Sequence, residues 1–163
     1  MSDSTHYTEA ELAELDSISR EIDIDATPTK VWSLITRPGW YVNDGTVDDE
    51  PAIRYETDGA GREIAVVTHP SMGEFRFLTI ELDEPRYAAF RWLGTPYREV
   101  SEGTLVEFWI EERSGGGVTL RVRESGFSTL SDDPAVWLEE RAGNDKGWAQ
   151  ELAAGKAWIE VRR

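Results

Sequence analysis

Between Ile53 and Val122 the chain alternates apolar and polar residues in six short stretches, most of them closed by a turn signal. The apolar sets are Ile53 and Tyr55; Ile64, Val66 and Thr68; Phe75 and Phe77; Ala88, Phe90 and Trp92; Val106, Phe108 and Ile110; and Val118, Leu120 and Val122. Side chains of a strand point to opposite faces with a period of two, so each set marks one face of a strand. Asp58 to Gly61, Asp83 to Pro85 and Ser114 to Gly117 supply hairpin turns, and residues 93 to 103 read as a loop. After Phe77 the apolar parity shifts to Leu78, Ile80 and Leu82, which predicts a bulge that curves the sheet.

A seventh strand precedes these six. Ile18, Ile22 and Ile24 alternate with Ser19, Glu21, Asp23 and Asp25, and Arg20 shares the apolar face. Thr27-Pro28 then starts a helix, with Thr as cap and Pro where no amide donor is needed. Val31, Trp32, Leu34 and Ile35 form its buried side, and Pro38-Gly39 stops it. Trp40-Tyr41-Val42 is an apolar clump before an acidic loop from Asn43 to Glu50. Near the end, Asp133 caps and Pro134 starts a short helical segment through Trp137. After an acidic loop, Trp148, Leu152, Gly155 and Ile159 fall on one helical face. The pattern predicts an α+β fold: a curved seven-stranded antiparallel sheet wrapped around a long C-terminal helix, with short helices after the first strand.

Residues 1–16 are polar and read as a tail, flexible or in a short helix; Thr8 and Glu11 have capping-box spacing, with Leu12 and Leu15 as a small apolar stripe. Residues 17–163 read as a single domain. The formal charge of −15, from 32 acidic and 17 basic residues, argues against nucleic acid and anionic membranes as partners. With no cysteine, disulfides, cysteine-ligated zinc and thiol nucleophiles are excluded. No apolar run is long enough to span a bilayer, and no leader pattern opens the chain, so a cytoplasmic location is expected.

The strand-helix opening Ile22 to Trp32, Trp40 after the first helix, the Asp83-Glu-Pro-Arg86 turn, Phe90-Arg-Trp92, Glu124-Ser-Gly-Phe127, and Gly147-Trp148 with Leu152 occur in an ordered series. In that order and spacing the chain resembles the activator of heat-shock-protein-90 ATPase homologues, in their bacterial single-domain form. This is a family of the START-like (SRPBCC, birch-pollen-allergen-like) superfamily, and the resemblance covers residues 18 to 160. It implies a helix-grip fold with a hydrophobic cavity between the sheet and the last helix. Eukaryotic members stimulate the chaperone through an additional N-terminal domain, for which this chain has no room. The family usually carries a large aliphatic residue where this chain has Gly155, which implies extra volume there. At Glu124 it commonly has His or another polar residue.

The resulting expectation is a binding protein for a small apolar or aromatic molecule. The alternatives are a protein-interaction module or chaperone regulator, and an enzyme of the cyclase or aromatase type. Trp40, Phe75, Phe77, Trp92, Phe108, Trp148 and Leu152 are the candidate lining. They also fit a filled, interlocked core. Glu124 follows Leu120 and Val122 inward, and the resembled fold sets the first and last strands side by side. Arg20 and Glu124 are therefore expected to meet, either as a polar anchor for ligand or as a structural ion pair. Trp109 has outward parity and is a candidate partner contact. No catalytic residue, metal or cofactor is assigned. His6 and His69 lack metal-ligand spacing, no Gly-x-Ser-x-Gly elbow occurs, Gly115 to Gly117 fits a hairpin, and the acidic loop lacks the spacing of a calcium-binding hand.

Overall fold

The structure, a computed structural model, describes residues 7–93 and 103–161. The helices are α1 (Glu9–Glu14), α2 (Pro28–Ile35) and α3 (Pro134–Val161). The strands are β1 (Ser17–Ile24), β2 (Ala52–Thr57), β3 (Glu63–His69), β4 (Gly73–Asp83), β5 (Tyr87–Trp92), β6 (Thr104–Glu112) and β7 (Val118–Ser125). They form one sheet in the order β1-β7-β6-β5-β4-β3-β2, with every neighbouring pair antiparallel. The α+β helix grip predicted from alternation is the architecture observed. Most of the predicted loop, residues 94–102, lies outside the described residues.

Strand parity produces the faces. On β6, Val106, Phe108 and Ile110 are buried, while Leu105, Glu107 and Trp109 are half-buried on the other side. The main core lies between the inner face and the helices α2 and α3. The bulge falls between Thr79 and Glu81 on β4. Beyond it Ile80 and Leu82 are exposed, while Leu78 joins Ile64, Val66 and Leu93 in a separate small core. Val66 faces Arg54 and Arg76 in register, and these arginines bond Glu74 and Glu56 at 2.7–3.5 Å.

At the N-terminus the short helix is the form seen. Thr8 Oγ1 accepts from the Glu11 amide at 3.0 Å, and Glu11 Oε1 accepts from the Thr8 amide at 2.8 Å. Leu12 and Leu15 pack against the core, which holds so short a helix in place.

The C-terminal region departs from the sequence reading. The short segment through Trp137 and the Trp148 helix are one continuous 28-residue helix. Three glycines, Gly143, Gly147 and Gly155, weaken it by about 1 kcal/mol each. Tertiary bonds offset this: Asn144 donates to Glu124, and Asp145 pairs with Arg20 on β1.

Candidate functional site

The inner face of β7 carries Val118, Leu120, Val122 and Glu124, all fully buried. Glu124 is therefore a carboxylate set into an apolar row by strand period alone. Val106 faces it across β6, and Thr104, two residues earlier on the same face, reaches it. Thr104 Oγ1 donates to Glu124 Oε2 at 2.5 Å. From α3, Trp148 Nε1 donates to Oε1 at 2.8 Å, and Asn144 Nδ2 donates to both oxygens at 3.2 and 3.1 Å. Asn144 and Trp148 are four residues apart, so one helical turn presents both donors together.

Every one of these donors is neutral. Burial pushes the Glu124 carboxyl above its ordinary range, and the bonds from Thr104, Trp148 and Asn144 only partly oppose that. Glu151, one turn after Trp148 on α3, is half-buried and has no hydrogen bond or ion pair among the described residues. Burial, with the nearby charge of Glu124, pushes it up to about 8.

Packed against Trp148 of α3 and Phe108 of β6 lies Tyr41, 2 % exposed. Gly39 makes the entry of this segment possible. Its φ is +70°, and a Cβ there would stand 2.9 Å from both Phe77 and Val67. The Tyr41 ring centroid lies 5.1 Å from Trp148, 5.1 Å from Trp92, 5.4 Å from Phe77 and 5.9 Å from Phe108. Its hydroxyl is held well above its usual range by burial, then by Glu124 and Glu151. Three buried polar atoms of this cluster, Tyr41 Oη, Trp40 Nε1 and Trp92 Nε1, have no hydrogen-bond partner among the described residues.

The predicted lining is thus brought together. Trp40, Phe75, Phe77, Phe108, Trp148 and Leu152 are buried on the inner side, and Trp92 is half-buried there. Tyr41, Thr104, Asn144 and Glu151 are additions. Tyr41 was visible only as part of the apolar clump, and Asn144 lay in a stretch that reads as loop.

Two expectations are corrected. Arg20 does not meet Glu124: in the β1–β7 register Arg20 faces Val122, whereas Ile18 faces Glu124. Two residues of offset separate them by roughly 7 Å along the strand, and Arg20 Nε instead bonds Asp145 Oδ1 at 2.9 Å at the rim. Nor does Gly155 leave spare volume. A Cβ there would stand 2.9 Å from Trp40 Cζ3 and 3.1 Å from Leu34 Cδ2, so the Trp40 indole already occupies the space. Beside Gly39 run two crevices, of about 20 Å³ against Trp40 and about 10 Å³ against Tyr41. Each has room for about one water molecule.

Outside the bowl, Trp109 lies half-buried on the outer face against Tyr87, centroids 5.4 Å apart, with Arg121 opposite in register. His69 Nδ1 accepts from the amides of Ser71 and Met72, a turn closure. The acidic loop is fastened to the body: Trp158 Nε1 donates to Asp49 at 2.7 Å, and Arg37 bonds the carbonyls of Asp48 and Asp49. Among the described residues no group of His, Asp or Glu is arranged to hold a metal ion, and no helix is long and apolar enough to cross a membrane.

This arrangement of sheet and long helix recurs in solved structures. The Aha1 dimer from Colwellia psychrerythraea superposes with a TM-score of 0.61 at 19% identity, over 89% of this chain and 96% of that one. The chain has the START-like, Aha1-like fold. A protein of unknown function from Staphylococcus aureus, SA2116, matches with a TM-score of 0.64 at 14% identity, over 90% and 94% of the two chains. Ms6760 from Mycobacterium smegmatis matches with a TM-score of 0.62 at 12% identity, over 99% of both. At such identities the likeness is one of fold. No family model and no curated protein matches the chain.

Proposed function

We propose that this protein binds a small apolar or aromatic molecule bearing a polar group, between the sheet and α3. The observation that supports this reading is the set of unpartnered atoms Trp40 Nε1, Tyr41 Oη and Trp92 Nε1, buried in one aromatic cluster. A buried donor without an acceptor costs about 1–3 kcal/mol, and natural cores hold few of them. A ligand lying against these rings supplies the acceptors.

The rings now fill much of the bowl, so a ligand needs the segment 40–42 to shift. That segment belongs to neither helix nor strand. Its movement breaks no sheet ladder, and the hydrogen bonds it must release are local, such as that from Asn43 Nδ2 to the Trp40 carbonyl at 3.1 Å. Glu124 takes four hydrogen bonds from three neighbours and is suited to holding the site's shape. The reading places Trp40, Phe75, Phe77, Trp92, Phe108, Trp148, Leu152 and Glu124 around the ligand, with Arg20 at the rim.

Native mass spectrometry of the protein purified from its own host tests this, alongside tryptophan fluorescence titrated with small aromatic compounds. The expected result is a co-purifying small molecule, or a saturable change in fluorescence that Tyr41→Ala alters. A bare chain mass together with no fluorescence response to any compound overturns the reading.

A further inference from the structure

The aromatic cluster of the bowl presents hydrogen-bond donors of one kind. Trp40 is 4 % and Tyr41 2 % exposed, and with Trp92 they hold the three buried polar atoms that lack a partner among the described residues. The side chains are contiguous: the Tyr41 ring centroid lies 5.7 Å from Trp40 and 5.1 Å from Trp92. An indole N–H only donates, and a phenolic proton needs an acceptor. Glu124 cannot serve them, because Thr104, Asn144 and Trp148 already give its two oxygens four hydrogen bonds. Two crevices beside Gly39 reach the cluster, one of about 20 Å³ lined by Trp40 and one of about 10 Å³ lined by Tyr41 and Phe77.

We propose that the ligand is a neutral aromatic carbonyl compound, such as an aryl ketone, whose carbonyl oxygens accept from Trp40 Nε1, Tyr41 Oη and Trp92 Nε1. The inference rests on the binding reading above and names its ligand class. A carbonyl oxygen carries two lone pairs and no proton, so it completes donors and adds none. Its flat aromatic body suits a site walled by Phe77, Trp92 and Phe108. An alcohol accepts as well, but it brings a proton of its own while the Glu124 oxygens are taken. A carboxylate has acceptors but also a charge to be paired on burial. Arg37 lines both crevices, yet its Nη2 is committed to the Asp48 and Asp49 carbonyls at 3.0 Å each, and its guanidinium lies over Trp158. An anion here also meets the Glu124 carboxyl, whose Oε1 is 2.8 Å from Trp148 Nε1, with the Trp148 ring 5.1 Å from Tyr41. An ammonium has no acceptor and leaves all three donors unpaired.

Five probes of nearly one shape separate the possibilities: acetophenone, 1-phenylethanol, benzoate, 1-phenylethylammonium and ethylbenzene, titrated into the full chain by calorimetry and tryptophan fluorescence. Acetophenone is expected to bind about tenfold tighter than the alcohol and the hydrocarbon, with the two ions weaker still. Tyr41→Phe removes one donor and is expected to weaken acetophenone about tenfold while leaving ethylbenzene nearly unchanged. If the alcohol, an ion or ethylbenzene matches acetophenone, the carbonyl assignment falls and the binding reading stands. If none of the five binds, both fall. The comparison among probes needs no variant to fold. An acetophenone affinity untouched by both Tyr41→Phe and Trp40→Phe in folded proteins also overturns the assignment.

Discussion

Replacing Gly155 by alanine sets two effects of opposite sign against each other. In the interior of α3, alanine is better than glycine by about 1 kcal/mol. Its Cβ, however, would arrive 2.9 Å from Trp40 Cζ3 and 3.1 Å from Leu34 Cδ2, where carbon atoms prefer about 3.5–4.0 Å. Trp40 has little room to retreat, because Phe108 and Tyr41 stand against it with centroids at 5.6 and 5.7 Å. Overpacking of this kind costs about 1–3 kcal/mol. The strain wins, and Gly155→Ala is expected to be less stable than the parent by about 1 kcal/mol. Trp40→Phe removes the outer indole atoms that cause the conflict. In that background the alanine regains its helical advantage and stabilises by up to about 1 kcal/mol. The two changes should therefore couple by about 2 kcal/mol, within the range seen for contacting residues. Urea unfolding of the four proteins, followed by far-UV circular dichroism, measures each term. A Gly155→Ala protein as stable as its parent, or additivity within about 0.5 kcal/mol, refutes the claim that Trp40 fills this notch.

Folded Glu151 keeps its proton up to about pH 8, whereas the unfolded chain releases it near 4.5. Across that window the folded state binds more protons, so stability falls as pH rises, and the buried Glu124 contributes with the same sign. Glu151→Gln should flatten the decline, and melting temperatures from pH 5 to pH 8.5 check it; stability that climbs through the window contradicts the assignment. Glu124→Ala leaves the Thr104, Asn144 and Trp148 donors buried without their acceptor. At about 1–3 kcal/mol per stranded group, its loss should reach at least about 3 kcal/mol. Arg20→Ala breaks a pair whose side chains are 39% and 35% exposed, and should lose under about 1 kcal/mol. Chemical denaturation of both variants and of the double variant checks this, and non-additive losses would show that the two residues act together after all.

Faces were legible in the sequence and heights were not. Period-two alternation placed Val106, Phe108 and Ile110 inside, and the parity shift after Phe77 pointed to a bulge in β4, which the structure places between Thr79 and Glu81. Parity also put Arg20 and Glu124 on the same face. Whether they touch depends on the β1–β7 register, a pairing across about a hundred residues that no local pattern encodes. Tyr41 sits in a segment without period, where neighbouring side chains carry no inside or outside label, and both it and Trp40 turn inward. Asn144 lay hidden because the stretch Gly143 to Gly147 has weak helical propensity. The bonds to Glu124 and Arg20 that hold it helical come from strands far away in the chain. Gly155 was read as spare room because a missing side chain shows in a sequence while the ring that fills its place does not.

The position of β1 at the sheet's end, beside β7 and no other strand, has a bearing on synthesis. Residues 17–24 leave the ribosome well before residues 118–125, the strand they pair with. At about 5–20 residues per second that wait lasts some seconds. Through it the apolar side of Ile18, Ile22 and Ile24 stays bare unless a holding factor covers it, and long-range pairings of this sort fold slowly. The first strand made is thus among the last to be secured, and aggregation of nascent chains should depend more on β1 than on the hairpins between β2 and β6.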